Sequence, residues 1–174
     1  MSPENILKTK LFIPPFRKGL IHRQNLVTRI VQAARQKAVF LSAPAGYGKT
    51  TLLTEFVSKA DFPVAWVSLD QSENDPVIFL SHLMYSVQRI WDGLGESIVD
   101  AMNSPGSPSI NYLLNSWLNE IAEHTTDFLI ILDDFHLVQN EEVVDVLCQI
   151  VGHQPQQIHF VISSRSGLPK ACSR

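Results

Sequence analysis

The chain has 174 residues, of which 45% are apolar and 18% are charged. At roughly 100–200 residues per domain this length predicts a single domain, and the apolar segments found all along it exclude a disordered chain. The net charge of −3 argues against direct DNA binding by this chain, and its apolar runs are too short to span a membrane.

Short apolar segments alternate with amphipathic ones along the chain. The apolar segments predict four buried strands, and the third is apolar throughout, which is typical of a parallel sheet covered on both faces. The predicted strands are 38–41, 64–69, 128–132 and 158–162. Apolar stripes at helical spacing predict helices at 26–34, 52–60, 79–91, 110–121 and 143–151. This alternation predicts an open α/β sheet with right-handed crossovers.

Two helix starts can be predicted from local signals. Asp75 followed by Pro76 is typical of an N-cap and a first helical residue. In the loop 103–109, Ser107 and Pro108 are expected to play the same parts for the following helix.

The segment SAPAGYGKTT, residues 42–51, follows a predicted strand and begins a predicted helix, which is the setting of a phosphate-binding loop. Gly46 and Gly48 allow the backbone to turn sharply and to direct N–H groups into one cavity. We expect Lys49 to reach the β- and γ-phosphates and the Thr50 hydroxyl to bind Mg²⁺. Ala43 replaces the glycine that begins the strict pattern. The predicted nucleotide-binding residues of the loop are Ala43, Pro44, Ala45, Gly46, Tyr47, Gly48, Lys49, Thr50 and Thr51.

The strand 128–132 ends in two carboxylates, Asp133 and Asp134. In a phosphate-loop protein the first is expected to hold Mg²⁺ opposite Thr50, and the second to polarise the attacking water. The strand 64–69 lies between the loop and this acidic strand in the sequence, which resembles the additional-strand, ATP-hydrolysing division of such proteins. No Asn-Lys-x-Asp segment for guanine occurs, which favours adenine.

Arg165 follows the fourth predicted strand, whose carboxyl end faces the ligand crevice in an open α/β sheet. From the residues alone, a contact with the γ-phosphate and an ordinary surface arginine are equally good interpretations.

Six separate blocks resemble the amino-terminal ATPase domain of MalT-like, LuxR-type transcriptional regulators. They cover nearly the whole chain and occur in the order of that family: 9–15, 20–23, 42–53, 65–80, 132–136 and 163–165. The resemblance implies a P-loop NTPase of the signal-transducing (STAND) type, with Walker A and Walker B motifs in the glycine loop and the acidic strand. It also implies a switch in which ADP holds a resting monomer, and ATP plus an inducer permit self-association. The two cysteines, which lack the spacing of a zinc site, fit a reduced, cytoplasmic setting.

The resemblance assigns further roles and boundaries. Arg23 lies on the base side of the nucleotide, next to His22, which stands where related switch ATPases often carry glycine. Arg165 reads the γ-phosphate, so that Lys49, Asp134 and Arg165 form the catalytic set. The strand order implied is 5-1-4-3-2 with the last strand missing from 1–174, and 1–37 forms an extension and helix before the loop strand. DNA binding belongs to other modules of such regulators.

Three functions are compatible with these motifs. The first is a regulatory ATP/ADP switch with slow Mg²⁺-dependent hydrolysis, and the second is a non-catalytic scaffold for nucleotide-dependent oligomerisation. The third is a small ATP-dependent kinase or turnover ATPase, although only Arg165 and Arg174 could supply the arginine-rich lid of a kinase after Asp134.

Overall fold

A computed structural model describes residues 7–16, 19 and 21–167. Four strands form one sheet, namely β1 (Ala38–Ser42), β2 (Val64–Ser68), β3 (Phe128–Asp133) and β4 (Ile158–Ser164). The helices are α1 (Gln24–Ala33), α2 (Lys49–Val57), α3 (Pro76–Gln88), α4 (Glu96–Asn103), α5 (Ile110–Ala122) and α6 (Glu141–His153). Short 3₁₀ turns lie at Lys8–Leu11, Gln71–Asn74 and Phe135–Leu137.

The sheet is parallel throughout and has the strand order β1-β4-β3-β2. This confirms the predicted open α/β sheet and the relative order of its first four strands. Within the described residues β1 and β2 are the two edges, and a fifth strand beside β1 is not among them. The register pairs Ser42 with Ser164 and Ser68 with Asp133, so the carboxyl ends of all four strands meet at one edge of the sheet.

Both faces of the sheet are covered, which gives three layers. Every residue of β3 and β4 is buried, as expected for central strands between two helical layers. Alternate side chains pack to opposite faces: Leu129, Ile131 and Val161 join a core with α1 and α2, whereas Ile130, Phe160 and Ile162 join the larger core with α3, α5 and α6. Helix α2, which follows the glycine-rich loop, is therefore held by its own apolar face against the sheet.

The predicted cap of α5 is wrong by two residues. Helix α5 begins at Ile110, and Ser109 rather than Ser107 accepts a hydrogen bond from a first-turn amide, that of Tyr112, at 3.4 Å. Pro108 precedes the cap, because Ser109 is itself a good capping residue and stands closer to the apolar stripe. The predicted cap at Asp75 is confirmed, since its carboxylate accepts from the amides of Val77 and Ile78.

Two further differences concern the segment between α3 and α5. The stripe expected to run from 79 to 91 ends as helix at Gln88, and the Trp91 ring stacks on His124 at a centroid distance of 4.8 Å. Helix α4 has no counterpart among the predicted helices. It has only eight residues, and its buried apolar side chains are Ile98, Val99 and Met102, fewer than in the longer helices α3, α5 and α6.

The described part of the predicted 1–37 extension packs on both cores of the domain. Leu11 is 4% exposed and joins the larger core, and the neighbouring Lys10 is also buried. The Lys10 ammonium lies 2.7 Å from a carboxylate oxygen of Glu73, a fully buried residue of the turn after β2. Helix α1 packs beside α2 through Val27 and Ile30.

Within the described ranges, no helix combines the length and the apolar character needed to cross a membrane.

Candidate nucleotide-binding site

The loop between β1 and α2 has the backbone shape that a phosphate cradle requires. Gly46 and Gly48 adopt φ values of +79° and +73°, in the left-handed region that glycine enters at little cost. Helix α2 begins at Lys49, and no side chain caps its N-terminus. The amide groups of the first turn of α2 are therefore available to an anion held in the loop.

Lys49 lies over this loop. Its side chain is largely buried, and Nζ donates to the carbonyl oxygen of Ala43 at 2.8 Å and less closely to that of Pro44 at 3.4 Å. These partners are neutral, and the ion pairs of the described residues do not include Lys49. The loop thus holds a buried positive charge without a carboxylate partner, which suits a phosphate group.

The side chains of Thr50 and Asp133 are in contact next to Ser163, near the end of β4. The Thr50 hydroxyl donates to Asp133 Oδ2 at 2.7 Å, and the Ser163 hydroxyl donates a short hydrogen bond to Asp133 Oδ1. Ser163 Oγ in turn accepts from the Asp134 amide at 3.0 Å. Burial raises the pKa of Asp133, against the opposing effect of the two hydroxyl donors.

One hydroxyl and one carboxylate are hard oxygen ligands of the kind that Mg²⁺ uses when it is shared with phosphates and water. The described residues contain no group of three or more His, Cys, Asp or Glu side chains that could hold a metal by themselves. The Thr50–Asp133 pair therefore fits Mg²⁺ bound together with a nucleotide.

Asp134 has an unusual backbone for a residue with a side chain. Its φ of +63° is the only positive φ of a non-glycine residue in the described part of the chain. Such a conformation costs of order 1–3 kcal/mol and is found mostly at functional sites. It turns the chain sharply after β3, so that Asp134 does not continue the strand that ends at Asp133.

His136 lies two residues further on, in the 3₁₀ turn. Its Nδ1 is 3.7 Å from Asp134 Oδ1, and both ring nitrogens are buried. Burial lowers the pKa of His136, and the positive charges of Arg165 and Lys49 act in the same direction. Arg165 itself is exposed just after β4. The three predicted catalytic residues, Lys49, Asp134 and Arg165, are thus all close enough to act electrostatically on one imidazole.

A cleft of about 290 Å³ opens beside the loop. Arg23 crosses it and donates from Nη1 to the carbonyl oxygen of Tyr47 at 2.8 Å. The buried Glu55 also lines the cleft, where it accepts from the amide of Arg23 at 3.4 Å and contacts His22 Nδ1 at 3.0 Å. The His22 contact, reinforced by the bond from Arg23, lowers the pKa of Glu55. The remaining lining residues are Ile21, Gly46, Gly48, Thr51 and Leu52.

The residues predicted from the motifs therefore come together in two adjoining places. Thr50 and Asp133 are hydrogen-bonded, Arg23 contacts the loop at Tyr47, and Thr51 lines the cleft next to Arg23. The sequence prediction missed Ser163, His136 and Glu55. Ser163 and His136 lie in blocks of the family resemblance, and Glu55 falls one turn after the loop motif, but no local pattern distinguishes any of them from surface polar residues.

Comparisons with known proteins give the same resemblance as the motifs. The chain is 29% identical over 156 residues to the serine/threonine-protein kinase PknK of Mycobacterium tuberculosis, which covers 87% of this chain and 14% of that protein. It is 27% identical over 164 residues to the HTH-type transcriptional regulator MalT of Vibrio cholerae, covering 94% of this chain and 18% of the regulator. No protein-family model matches the chain.

The fold has a counterpart among solved structures. The crystal structure of Cdc6p from Pyrobaculum aerophilum superposes with a TM-score of 0.59 at 14% identity, over 92% of this chain and 43% of that one. The predicted α/β P-loop fold and the similarity to MalT-type regulators are confirmed. The chain spans only 14–18% of the length of these curated relatives.

Proposed function

We propose that this chain is an ATP- and ADP-binding regulatory domain that controls transcription through slow, Mg²⁺-dependent hydrolysis of ATP. The observation that carries the proposal is the contact between Thr50 and Asp133, at 2.7 Å, beside the buried ammonium of Lys49. A glycine-rich turn with a lysine occurs in many proteins. A hydroxyl from the helix that follows such a turn, paired with a carboxylate from a non-neighbouring strand, is the arrangement expected for nucleotide and Mg²⁺.

Each group of this chain has a defined task in binding. The first-turn amides of α2 and the Lys49 ammonium bind the phosphate oxygens and offset their charge. Thr50 and Asp133 hold Mg²⁺, which when bound would neutralise part of the charge that develops on the phosphates. The base and sugar occupy the cleft between Arg23 and Glu55, where Ile21 offers an exposed apolar surface.

Hydrolysis requires a water held in line with the terminal phosphate. Asp134 lies at the turn after β3 and provides a carboxylate that accepts a hydrogen bond from this water and polarises it. Arg165 projects from the end of β4 and contacts the γ-phosphate, so that it separates ATP from ADP.

The regulatory part of the proposal draws on the relatives. MalT of Vibrio cholerae and of Cronobacter sakazakii are named as HTH-type transcriptional regulators, and this chain matches 18% of each. We propose that ADP holds a resting monomer, that ATP permits self-association in the cytoplasm, and that DNA is contacted by other parts of such regulators.

One set of measurements tests the proposal. ATP and ADP binding by the purified chain is measured by calorimetry with and without Mg²⁺, together with phosphate release and native mass. We expect binding of both nucleotides, slow release of phosphate, and slower release in Asp134→Asn with binding retained. Absence of nucleotide binding would overturn the proposal. Binding without phosphate release above a Lys49→Ala control would favour the non-catalytic scaffold instead.

A further inference from the structure

His136 is a buried imidazole whose hydrogen-bonding capacity is unused. Its side chain is 12% exposed, and neither ring nitrogen has a hydrogen-bond partner among the described residues. Leaving a buried donor or acceptor unpaired costs about 1–3 kcal/mol, so such a group calls for an explanation.

The surroundings of the ring point to the site and not to the core. The charged groups that act on it are the carboxylates of Asp134 and Asp133 and the cations of Arg165 and Lys49. All four are predicted nucleotide-site residues: Lys49 begins α2, Asp133 ends β3, and Asp134 and Arg165 directly follow β3 and β4. The cations and the burial both favour the neutral ring, which has one N–H donor and one acceptor.

Asp134 is the natural partner of this donor. Its backbone is fixed by the left-handed conformation and by the amide hydrogen bond to Ser163 Oγ. Its carboxylate makes no hydrogen bond to any described residue, and it is 40% exposed. The distance of 3.7 Å from His136 Nδ1 to Asp134 Oδ1 is longer than a hydrogen bond by about 0.5–1 Å, so forming that bond requires the Asp134 carboxylate to move by this amount.

The turn that carries His136 is firmly anchored. Phe135 is 3% exposed and belongs to the larger core. Just beyond the turn, Asn74 Oδ1 accepts hydrogen bonds from the amides of Gln139 at 2.6 Å and Asn140 at 2.8 Å. The imidazole is therefore held in place by the loop on which it stands, as a group that orients another must be.

We propose that His136 is a positioning residue for Asp134: its Nδ1–H donates to Asp134 Oδ1 and holds the carboxylate towards the attacking water. The inference rests on the proposed ATP hydrolysis, because without turnover there is no water to orient. In this role His136 affects the rate of ATP hydrolysis and not the affinity for ATP.

Two substitutions of His136 test this role, one that removes the N–H donor and one that keeps a donor. His136→Leu removes the donor and is expected to lower kcat for ATP hydrolysis about 10- to 100-fold, with the Kd for ATP within about twofold of wild type. His136→Asn places an amide N–H close to the position of Nδ1 and is expected to recover part of the loss. The exposed His153→Leu, at the end of α6, is the control and is expected to match wild type.

Coupling and stability measurements complete the test. Because both residues act on one water, His136→Leu is expected to cause little further loss in an Asp134→Asn background. The melting temperature of His136→Leu is expected to be at least that of wild type, since two unpaired buried nitrogens are removed. The inference is wrong if wild type turns over and His136→Leu matches it, if His136→Asn is as slow as His136→Leu, or if the two losses add. A wild-type chain that binds ATP without any turnover overturns the proposed hydrolysis itself, and with it this role.

Discussion

Thr50 and Asp133 are joined by a hydrogen bond of 2.7 Å although 83 positions separate them in the chain. The strands that lead to them, β1 and β3, are not neighbours, because β4 lies between them. Ser163 at the end of β4 fills the gap and donates to the other oxygen of Asp133. The contact therefore depends on the strand order of the sheet, and its disruption is expected to affect Mg²⁺ and nucleotide together.

Replacing Lys49 by alanine is expected to weaken ATP binding by about 10- to 100-fold or more, since a charge-assisted hydrogen bond contributes about 1.5–3 kcal/mol. Titration calorimetry provides the measurement. Lys37→Ala is the matched control, because it removes the same charge from an exposed side chain before β1, at the other end of the strand. Equal affinity of Lys49→Ala and wild type would show that the glycine loop is not a phosphate site.

Asp133→Asn is expected to stabilise the nucleotide-free protein while it removes the Mg²⁺-dependent part of ATP affinity. Burial raises the pKa of Asp133, so ionising this carboxyl group in the folded state costs free energy that the isosteric amide avoids. The gain in unfolding free energy is expected to be about 0.5–2 kcal/mol at pH 7.

The sign of the pH dependence follows from the raised pKa. The folded state keeps the Asp133 proton to higher pH than the unfolded state, so wild-type stability falls as pH rises through and above the usual value of 3.8. The advantage of Asp133→Asn is therefore expected above that range and absent well below it. Chemical denaturation at several pH values measures it, with the exposed Asp145→Asn as the control. A destabilised Asp133→Asn at pH 7 would contradict the prediction.

Arg165→Ala is expected to reduce the preference for ATP over ADP by about tenfold, because one charge-assisted contact to the terminal phosphate is lost. The ratio of the two dissociation constants is the quantity to measure. Arg35→Ala is the control. Arg35 is an exposed residue before β1 that pairs with Asp61 and Asp127, and its removal is expected to leave the ratio unchanged. An unaltered ratio in Arg165→Ala would make that residue an ordinary surface arginine.

Lys10→Met is expected to destabilise the fold by about 3–5 kcal/mol, since it leaves the fully buried Glu73 without its ammonium partner. The nitrogens of Lys10 and His82 both lie 2.7 Å from Glu73 Oε1. Lys8→Met, which changes an exposed lysine in the same turn, is the control. Thermal or urea unfolding of both variants provides the comparison.

This cluster also has a defined pH dependence. Burial acts to raise the pKa of Glu73, but the contacts with His82 and Lys10 outweigh it, and the pKa is lowered from its usual value of 4.5. The stabilisation is therefore complete above about pH 4.5 and is lost as pH falls below it. The difference between wild type and Lys10→Met is expected to shrink in the same range. A difference that stays constant down to pH 3 would exclude the Glu73 ion pair as its source.

Features that depend on neighbouring residues in the chain could be predicted well. The four strands were placed within one or two residues of their observed ends, because a buried parallel strand requires a continuous apolar segment whatever its partners are. Asp75 was identified as a cap because the signal is local. The cap of α5 was misplaced because both Ser107 and Ser109 are residues that can cap a helix. Helix α4 was missed because it is short and has few apolar side chains.

The site divides in the same way. The glycine loop, Lys49, Thr50 and Asp133 follow from residue types in a set order, and the strand order came from the family resemblance. Ser163, His136 and Glu55 could not be predicted, because each gains its role only from a side chain supplied by another element. Glu55 contacts His22, which lies just before α1. His136 lies near the positive charges of Lys49 in α2 and of Arg165 after β4.

Residue types and apolar periodicity are enough to predict a glycine-rich loop between a buried strand and a helix, and a strand ending in two carboxylates later in the chain. The packing of the folded chain was needed to show that Ser163 at the end of β4 donates to Asp133, and that His136 lies beside Asp134 without a hydrogen-bond partner among the described residues. The physical reason is the range of the forces involved. Backbone turns and apolar periodicity act over a few residues, whereas hydrogen bonds and charges act between whatever groups packing brings within a few ångströms.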